Sequence, residues 1–143
     1  MSSNASPQPQ PAYPDPTGGA SFIIAWRAKR QSILVVGGGP VAAGRVFNSL
    51  EADADVTVVA PHLCPELQYR ARTCQISWHA RKFIPSDLDG VAIVLTAIDD
   101  CEESVRIAQL CRERRIPINA ADMNDLCDFW FMSMHRDKSV QVA

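Results

Sequence analysis

An α/β domain built around a parallel sheet is the fold class that this 143-residue sequence predicts, and three observations carry it. The first is the stretch ILVVGGGPVAAGRVFNSL at residues 33–50. Ile33, Leu34, Val35 and Val36 form a continuous apolar run, the signature of a parallel strand buried on both faces. Three glycines follow, and then Ala43, Val46, Phe47 and Leu50 recur at i, i+3, i+4 and i+7, one face of a helix. The second observation is a pair of further strand-like runs, DVTVV at 55–59 and VAIVLTA at 91–97. The third is the alternation of strand and helix signals along the chain, which points to a Rossmann-like, doubly wound parallel sheet.

Taken in order, residues 1–20 hold five of the ten prolines together with Ser, Gln, Gly and Asn. Such a segment buries too little apolar surface to order itself, so a disordered tail is expected, acting as a spacer or as a proline-rich docking peptide. Residues 21–143 are expected to form one domain. Residues 21–26 read as an edge strand, and Arg27, Lys29 and Arg30 as a solvated turn or an aid to phosphate binding. The strand at 33–36 leads through a helix at 42–51 to a strand at 55–59, a β-α-β unit whose crossover is expected to be right-handed. Residues 65–74 read as a short helix with Pro65 in its first turn, and 75–79 as a third strand.

Pro85, Asp87, Asp89 and Gly90 mark 83–90 as a loop or single turn before the strand at 91–97. Asp99 with Glu102 resembles a capping box opening the next helix. Acidic Glu102 and Glu103 at its start and Arg112, Arg114 and Arg115 at its end suit the macrodipole, and Pro117 stops it. Ile107, Leu110 and Cys111 are expected to face the sheet. Residues 118–121 read as a short strand, residues 128–131 as the start of another, and residues 140–143 as one more.

Composition excludes several classes of partner. A net charge of −2 gives no general attraction to nucleic acid or anionic membrane. No apolar run reaches the length of a membrane span, and the run at 22–26 is too short for a signal-peptide core. The five cysteines, Cys64, Cys74, Cys101, Cys111 and Cys127, are odd in number and contain no C-x-x-C pair. That favours reduced thiols in a cytoplasmic protein. His62, His79 and His135 lack ligand spacing, so no protein-held metal is expected.

The glycine turn carries the chemistry. Gly37-x-Gly39-x-x-Ala42 fits the dinucleotide fingerprint: one glycine for the tight turn, one for backbone approach to a pyrophosphate, and a small third residue for close helix–strand packing. Gly38, Pro40 and Val41 complete the loop and the helix start, where backbone N–H groups and the helix dipole favour an anion. Two features depart from the pattern. Pro40 has no N–H, and the acid expected about 20 residues on to hold the ribose is missing, because the second strand ends in Ala60, Pro61 and His62. Asp122 lies just past the carboxyl end of its strand, where doubly wound sheets bind ligands, and reads equally as a site carboxylate or a turn aspartate.

Six ordered stretches together go beyond a generic nucleotide domain: GGGPVAAGR (37–45), ADVTVVAP (54–61), LTAIDD (95–100), CRERRIPINAAD (111–122), LCDFWF (126–131) and HRDKSVQVA (135–143). From about residue 21 onward the chain resembles the N-terminal dehydrogenase domain of siroheme synthases, most nearly the fungal bifunctional precorrin-2 dehydrogenase/sirohydrochlorin ferrochelatases. The resemblance implies NAD as cofactor and oxidation of precorrin-2 to sirohydrochlorin. It implies ferrous iron as the substrate of a second, chelating reaction. It assigns the family's acidic residue to Asp122, the end of Asn119-Ala120-Ala121-Asp122. It accounts for the missing ribose acid, since the family has a small residue and proline there, leaving backbone near Pro61 and His62 to hold the adenosine side. The nicotinamide is expected near Thr96 and Asp122, with Asp122 as general base. Family members form homodimers through a C-terminal helical region, and this chain is expected to lack that region because it stops at Ala143. Two alternatives stay open: a module that binds NAD without catalysis, and an inactive truncated form.

Overall fold

The computed structural model describes residues 13–132 together with residues 4, 6, 7, 9, 135–137 and 140–142. Five parallel strands form one sheet in the order β3-β2-β1-β4-β5. They are β1 (Ser32–Val36), β2 (Asp55–Val59), β3 (Ser77–His79), β4 (Ile93–Thr96) and β5 (Ile118–Ala120). Three helices connect them: α1 (Pro40–Glu51), α2 (Pro65–Arg72) and α3 (Cys101–Glu113). Strand order reverses between β1 and β4, and a crevice is expected at such a switch point.

Alternation along the strands divides the core into two layers. Ile33, Val35, Val56 and Val58 pack with Ala42, Ala43 and Val46 of α1 and Leu67 of α2 on one face. Leu34, Val36 and Val94 pack with Ile107, Ala108 and Cys111 of α3 and with Leu88 on the other. Helices therefore cover both faces, which is why the strands read as unbroken apolar runs. Leu88 belongs to the 3-10 turn Pro85–Leu88.

Several boundaries differ from the sequence expectation. Helix α1 begins at Pro40 rather than at 42, because proline occupies the first helical position directly after Gly39. The cap of α3 is Asp100, whose Oδ1 accepts the Glu103 N–H at 3.1 Å, so the capping start lies one residue beyond the Asp99–Glu102 pair. Ser104, Ile107, Ala108 and Cys111 make the buried stripe of α3, with Leu110 only half-buried.

The expected edge strand at 21–26 is absent. Phe22 is 92% exposed and Ile23 and Ile24 are also exposed, so no strand of the sheet pairs with this run. The expected strand at 128–131 is likewise absent, for a different reason. This segment bends back along the free edge of β5 and satisfies it mainly with side chains. The Ile118 N–H donates to Asp128 Oδ2 at 3.0 Å, and Asn119 Nδ2 donates to the Phe129 carbonyl at 2.9 Å. Cys127 Sγ lies 3.3 Å from both the N–H and the carbonyl of Ala120. A sheet edge covered this way offers little to a second chain. Strand β7 (Val140–Val142) forms, but it pairs antiparallel with β6 (His135–Asp137) in a separate two-stranded sheet. Of the tail expected at 1–20, residues 1–3, 5, 8 and 10–12 lie outside the described residues, as does Ala143.

Candidate functional site

The parallel register sets the last residues of all five strands level: His79, Val59, Val36, Thr96 and Ala120 are successive partners across the sheet. Every residue singled out as cofactor-binding or catalytic in the sequence lies on or just beyond that carboxyl edge, at a strand end, in the loop that follows or in the first turn of α1.

At the centre, Gly37 adopts φ +131°, a conformation that side chains rarely enter. A Cβ there would run into the Ala97 carbonyl. A Cβ on Gly38 would run into the carbonyl of His62. These two glycines let the ends of β1, β2 and β4 close together. The Gly37 N–H donates to the Val59 carbonyl at 3.0 Å, and the Cys64 N–H donates to the Gly38 carbonyl at 2.7 Å. The loop carrying Pro61 and His62, both exposed, is thereby fastened beside the glycine turn.

Gly39 differs from its neighbours. A Cβ at this position would meet nothing within 4 Å, so the space beside it is open. Gly39 is the residue before α1, which has no side-chain cap and no acidic residue in its first turn. The first intrahelical bond runs from the Ala43 N–H to the Gly39 carbonyl at 2.9 Å. The N–H groups of Val41 and Ala42 therefore stand at the helix start without intrahelical acceptors, while Pro40 contributes none. Ala42 is fully buried, which lets α1 lie close on β1. Open space, uncapped donors and the absence of local negative charge fit a dinucleotide pyrophosphate. At the end of β2 no acidic side chain is present: Ala60 is buried, and Pro61 and His62 are exposed.

Thr96 stands level with this loop but is only 3% exposed, and its carbonyl accepts the Ala121 N–H at 2.9 Å. The surface β4 offers at the crevice comes from the next residue, the half-buried Ala97.

Asp122 follows β5 in a tight turn closed by the Met123 N–H donating to the Ala120 carbonyl at 3.2 Å. It is exposed and has φ +61°. Aspartate tolerates this left-handed conformation better than most residues, at some cost. Of the four other described non-glycine residues with positive φ, Asp53, Cys74 and Arg115 each follow the end of a helix and Arg30 precedes β1, so Asp122 alone sits in a turn leaving the sheet. A cleft of about 480 Å³ opens beside it, lined by Arg45, Asn119, Asn124, Cys127, Trp130 and Phe131 among others. Sequence reasoning placed none of these six in a site. Arg45 could have been found by noting that it follows the fingerprint by three residues on α1. The aromatic pair could not, because its place depends on how the chain folds back over β5.

Other titratable groups lie elsewhere. Burial, reinforced by Asp128, pushes the Cys111 thiol up to about 11, as befits an inert core residue. All five cysteines are free, and among the described residues no three His, Cys, Asp or Glu side chains gather as a metal site. Among those residues no helix is long and apolar enough to cross a membrane.

Comparison with known proteins agrees with the geometry. Residues 24–133 match a family model described as "Putative NAD(P)-binding". The chain is 49% identical over 127 residues to the siroheme biosynthesis protein met8 of Schizosaccharomyces pombe, covering 87% of this chain and 48% of that protein. It is 41% identical over 122 residues to the siroheme synthase of Thioalkalivibrio sulfidiphilus, covering 85% of this chain and 25% of that one. It thus spans about half the length of the first relative and a quarter of the second. Its fold is similar to that of SirC, a precorrin-2 dehydrogenase, with a TM-score of 0.69 at 23% identity, over 86% of this chain and 60% of that one. With the glycine turn, the open space beside Gly39 and Asp122 gathered on one sheet edge, and with this match spanning most of its length, the chain belongs to the NAD(P)-binding domain family of the siroheme-biosynthesis proteins.

Proposed function

We propose that this chain carries the dehydrogenase half of siroheme formation: oxidation of precorrin-2 to sirohydrochlorin with NAD as hydride acceptor. The observation that carries the reading is the juxtaposition, on one carboxyl edge, of an open dinucleotide position at Gly39 and a cleft that holds an exposed carboxylate, Asp122.

The chain's own residues divide the work. Gly37 and Gly38 shape the loop, and the helix start at the exposed Val41 faces the pyrophosphate. The Pro61–His62 segment borders the adenosine, and the nicotinamide end lies toward Thr96 and Asp122. NAD, when bound, supplies the hydride acceptor. Oxidation of the macrocycle also releases a proton, and Asp122 accepts it, a role worth about 10²–10⁴-fold in general acid–base catalysis. In the whole protein the same carboxylate takes a pyrrole N–H proton as ferrous iron enters sirohydrochlorin, so iron is a substrate and no resident metal is needed. For the whole protein, a homodimer and a cytoplasmic location complete the reading.

Anaerobic incubation of the chain with precorrin-2 and NAD, followed by absorbance, tests it. Sirohydrochlorin should appear in step with NADH. NAD binding by calorimetry without any product would leave a non-catalytic nucleotide module and overturn the enzymatic reading.

A further inference from the structure

The cleft beside Asp122 contains a cation that the proton-transfer chemistry does not use. Arg45 projects from α1 into the cleft, and its guanidinium carbon sits 4.0 Å from the centre of the Phe131 ring. Phe131 is held in turn by an edge-to-face contact with Phe129, with ring centres 5.8 Å apart and planes at 70°. The Phe129 carbonyl is anchored by Asn119 Nδ2 of β5. The cation therefore rests on an aromatic face that is tied to the sheet. Among the described residues Arg45 forms no salt bridge, whereas Arg70, Arg81, Arg106 and Arg114 each pair with a carboxylate. Stacking over a ring engages the flat face of a guanidinium and leaves its in-plane N–H donors free.

We propose that Arg45 is a substrate-positioning residue whose free fork binds a carboxylate side chain of the tetrapyrrole. The inference rests on the function proposed above and deepens it. A planar donor fork matches a carboxylate bidentately, and the tetrapyrroles of this pathway carry carboxylates around the ring. Phe131 fixes the fork on the α1 side of the cleft while Asp122 stands on the β5 side. A ring carboxylate gripped by Arg45 orients the macrocycle against the proton acceptor. The wall of the cleft also supplies Trp130 as an apolar surface for a flat ring system.

The test measures binding of sirohydrochlorin by quenching of its fluorescence, and of NAD by calorimetry, for the parent chain, Arg45→Gln and Arg45→Lys. Arg45→Gln should weaken sirohydrochlorin binding roughly tenfold to a hundredfold, the range for a lost charge-assisted pair. Arg45→Lys should fall between the two, keeping charge without the fork, and NAD affinity should stay unchanged in both. Equal sirohydrochlorin affinity in parent and Arg45→Gln overturns the proposal while leaving the dehydrogenase reading standing. A parallel loss of NAD affinity also overturns it, making Arg45 a cofactor ligand. Failure of the parent chain itself to bind sirohydrochlorin sinks this inference and the function on which it rests.

Discussion

At the scale of single residues, the three glycines of the turn carry separate duties. Gly37 and Gly38 are required by the protein itself, since a Cβ on either collides with backbone carbonyls of neighbouring strand ends. Gly39 is required by nothing in the chain, because its surroundings are open and it has an ordinary φ of −91°. Gly39→Asp should therefore fold normally by circular dichroism and lose NAD binding by calorimetry, as its charge would occupy the pyrophosphate position. Gly38→Ala should instead lower the melting temperature. Retained NAD affinity in Gly39→Asp would refute the fingerprint reading. Asp122 calls for similar care. Alanine at φ +61° costs about 1 kcal/mol in its own right, so Asp122→Asn is the cleaner probe. That variant should keep the fold and NAD affinity yet lose dehydrogenation about 10²-fold or more, because an amide cannot take the proton. Full turnover of Asp122→Asn would leave Asp122 as a turn residue.

At the scale of elements, all three helices end alike and none ends in glycine. Asp53, Cys74 and Arg115 take φ of +60°, +58° and +56°, and the next N–H in each case reaches back five residues: Ala54 to Ser49, Gln75 to Arg70 and Ile116 to Cys111. This is the Schellman arrangement, in which glycine is the usual left-handed residue. Its absence hid these ends in the sequence, and the helix expected to run to 74 closes at Arg72. Arg115→Gly should stabilise the domain by up to about 1 kcal/mol in urea unfolding, offset partly by the freedom glycine adds to the unfolded chain. At the other end of α3, Asp100→Ala should cost about 1 kcal/mol, while Asp99→Ala should cost almost nothing. Equal costs for the two would show that the cap lies elsewhere.

At the scale of the whole molecule, one ion pair closes the connection between β3 and β4 on itself. Arg81 grips Asp87 with two bonds of 2.8 and 2.7 Å, and the Ile84 N–H adds a third at 2.8 Å. Burial pushes the Asp87 carboxyl up, but together these donors outweigh it and hold the group below the usual carboxylate range. A depressed carboxylate stabilises the fold above its unfolded pKa, and that contribution is lost as pH falls through the folded value. The expected outcome is a urea midpoint that is steady near neutrality and drops below about pH 4, the ordinary carboxylate range. Asp87→Asn should lower the midpoint at pH 7 and flatten the acid limb. An unchanged acid limb in that variant would place the acid sensitivity in other carboxylates. The next residue, Leu88, is almost wholly buried against α3, so loosening this turn loosens the core layer that backs β4.

The sequence by itself determined the sheet, its central glycine turn and the strand ends at which a doubly wound sheet is expected to bind ligands. Apolar runs at β1, β2 and β4 could be buried only in a sheet covered on both faces, and the switch-point rule then fixed which ends of the strands matter. The start of α2 at Pro65 was legible for a local reason too, whereas that of α1 at Pro40 was placed two residues late. What lay between distant segments was not. The run FIIAW at 22–26 has strand composition yet pairs with no strand, because composition alone supplies no neighbour. The run DFWF at 128–131 looks like a strand too, but Asp128 and Cys127 take the edge of β5 with side chains, which no periodicity reports. The openness around Gly39, the crowding around Gly38 and the meeting of Arg45 with Phe131 across 86 positions of sequence depend on which loops the finished sheet brings together. Tertiary structure decided those contacts, because each is made between segments whose own sequences are silent about the other.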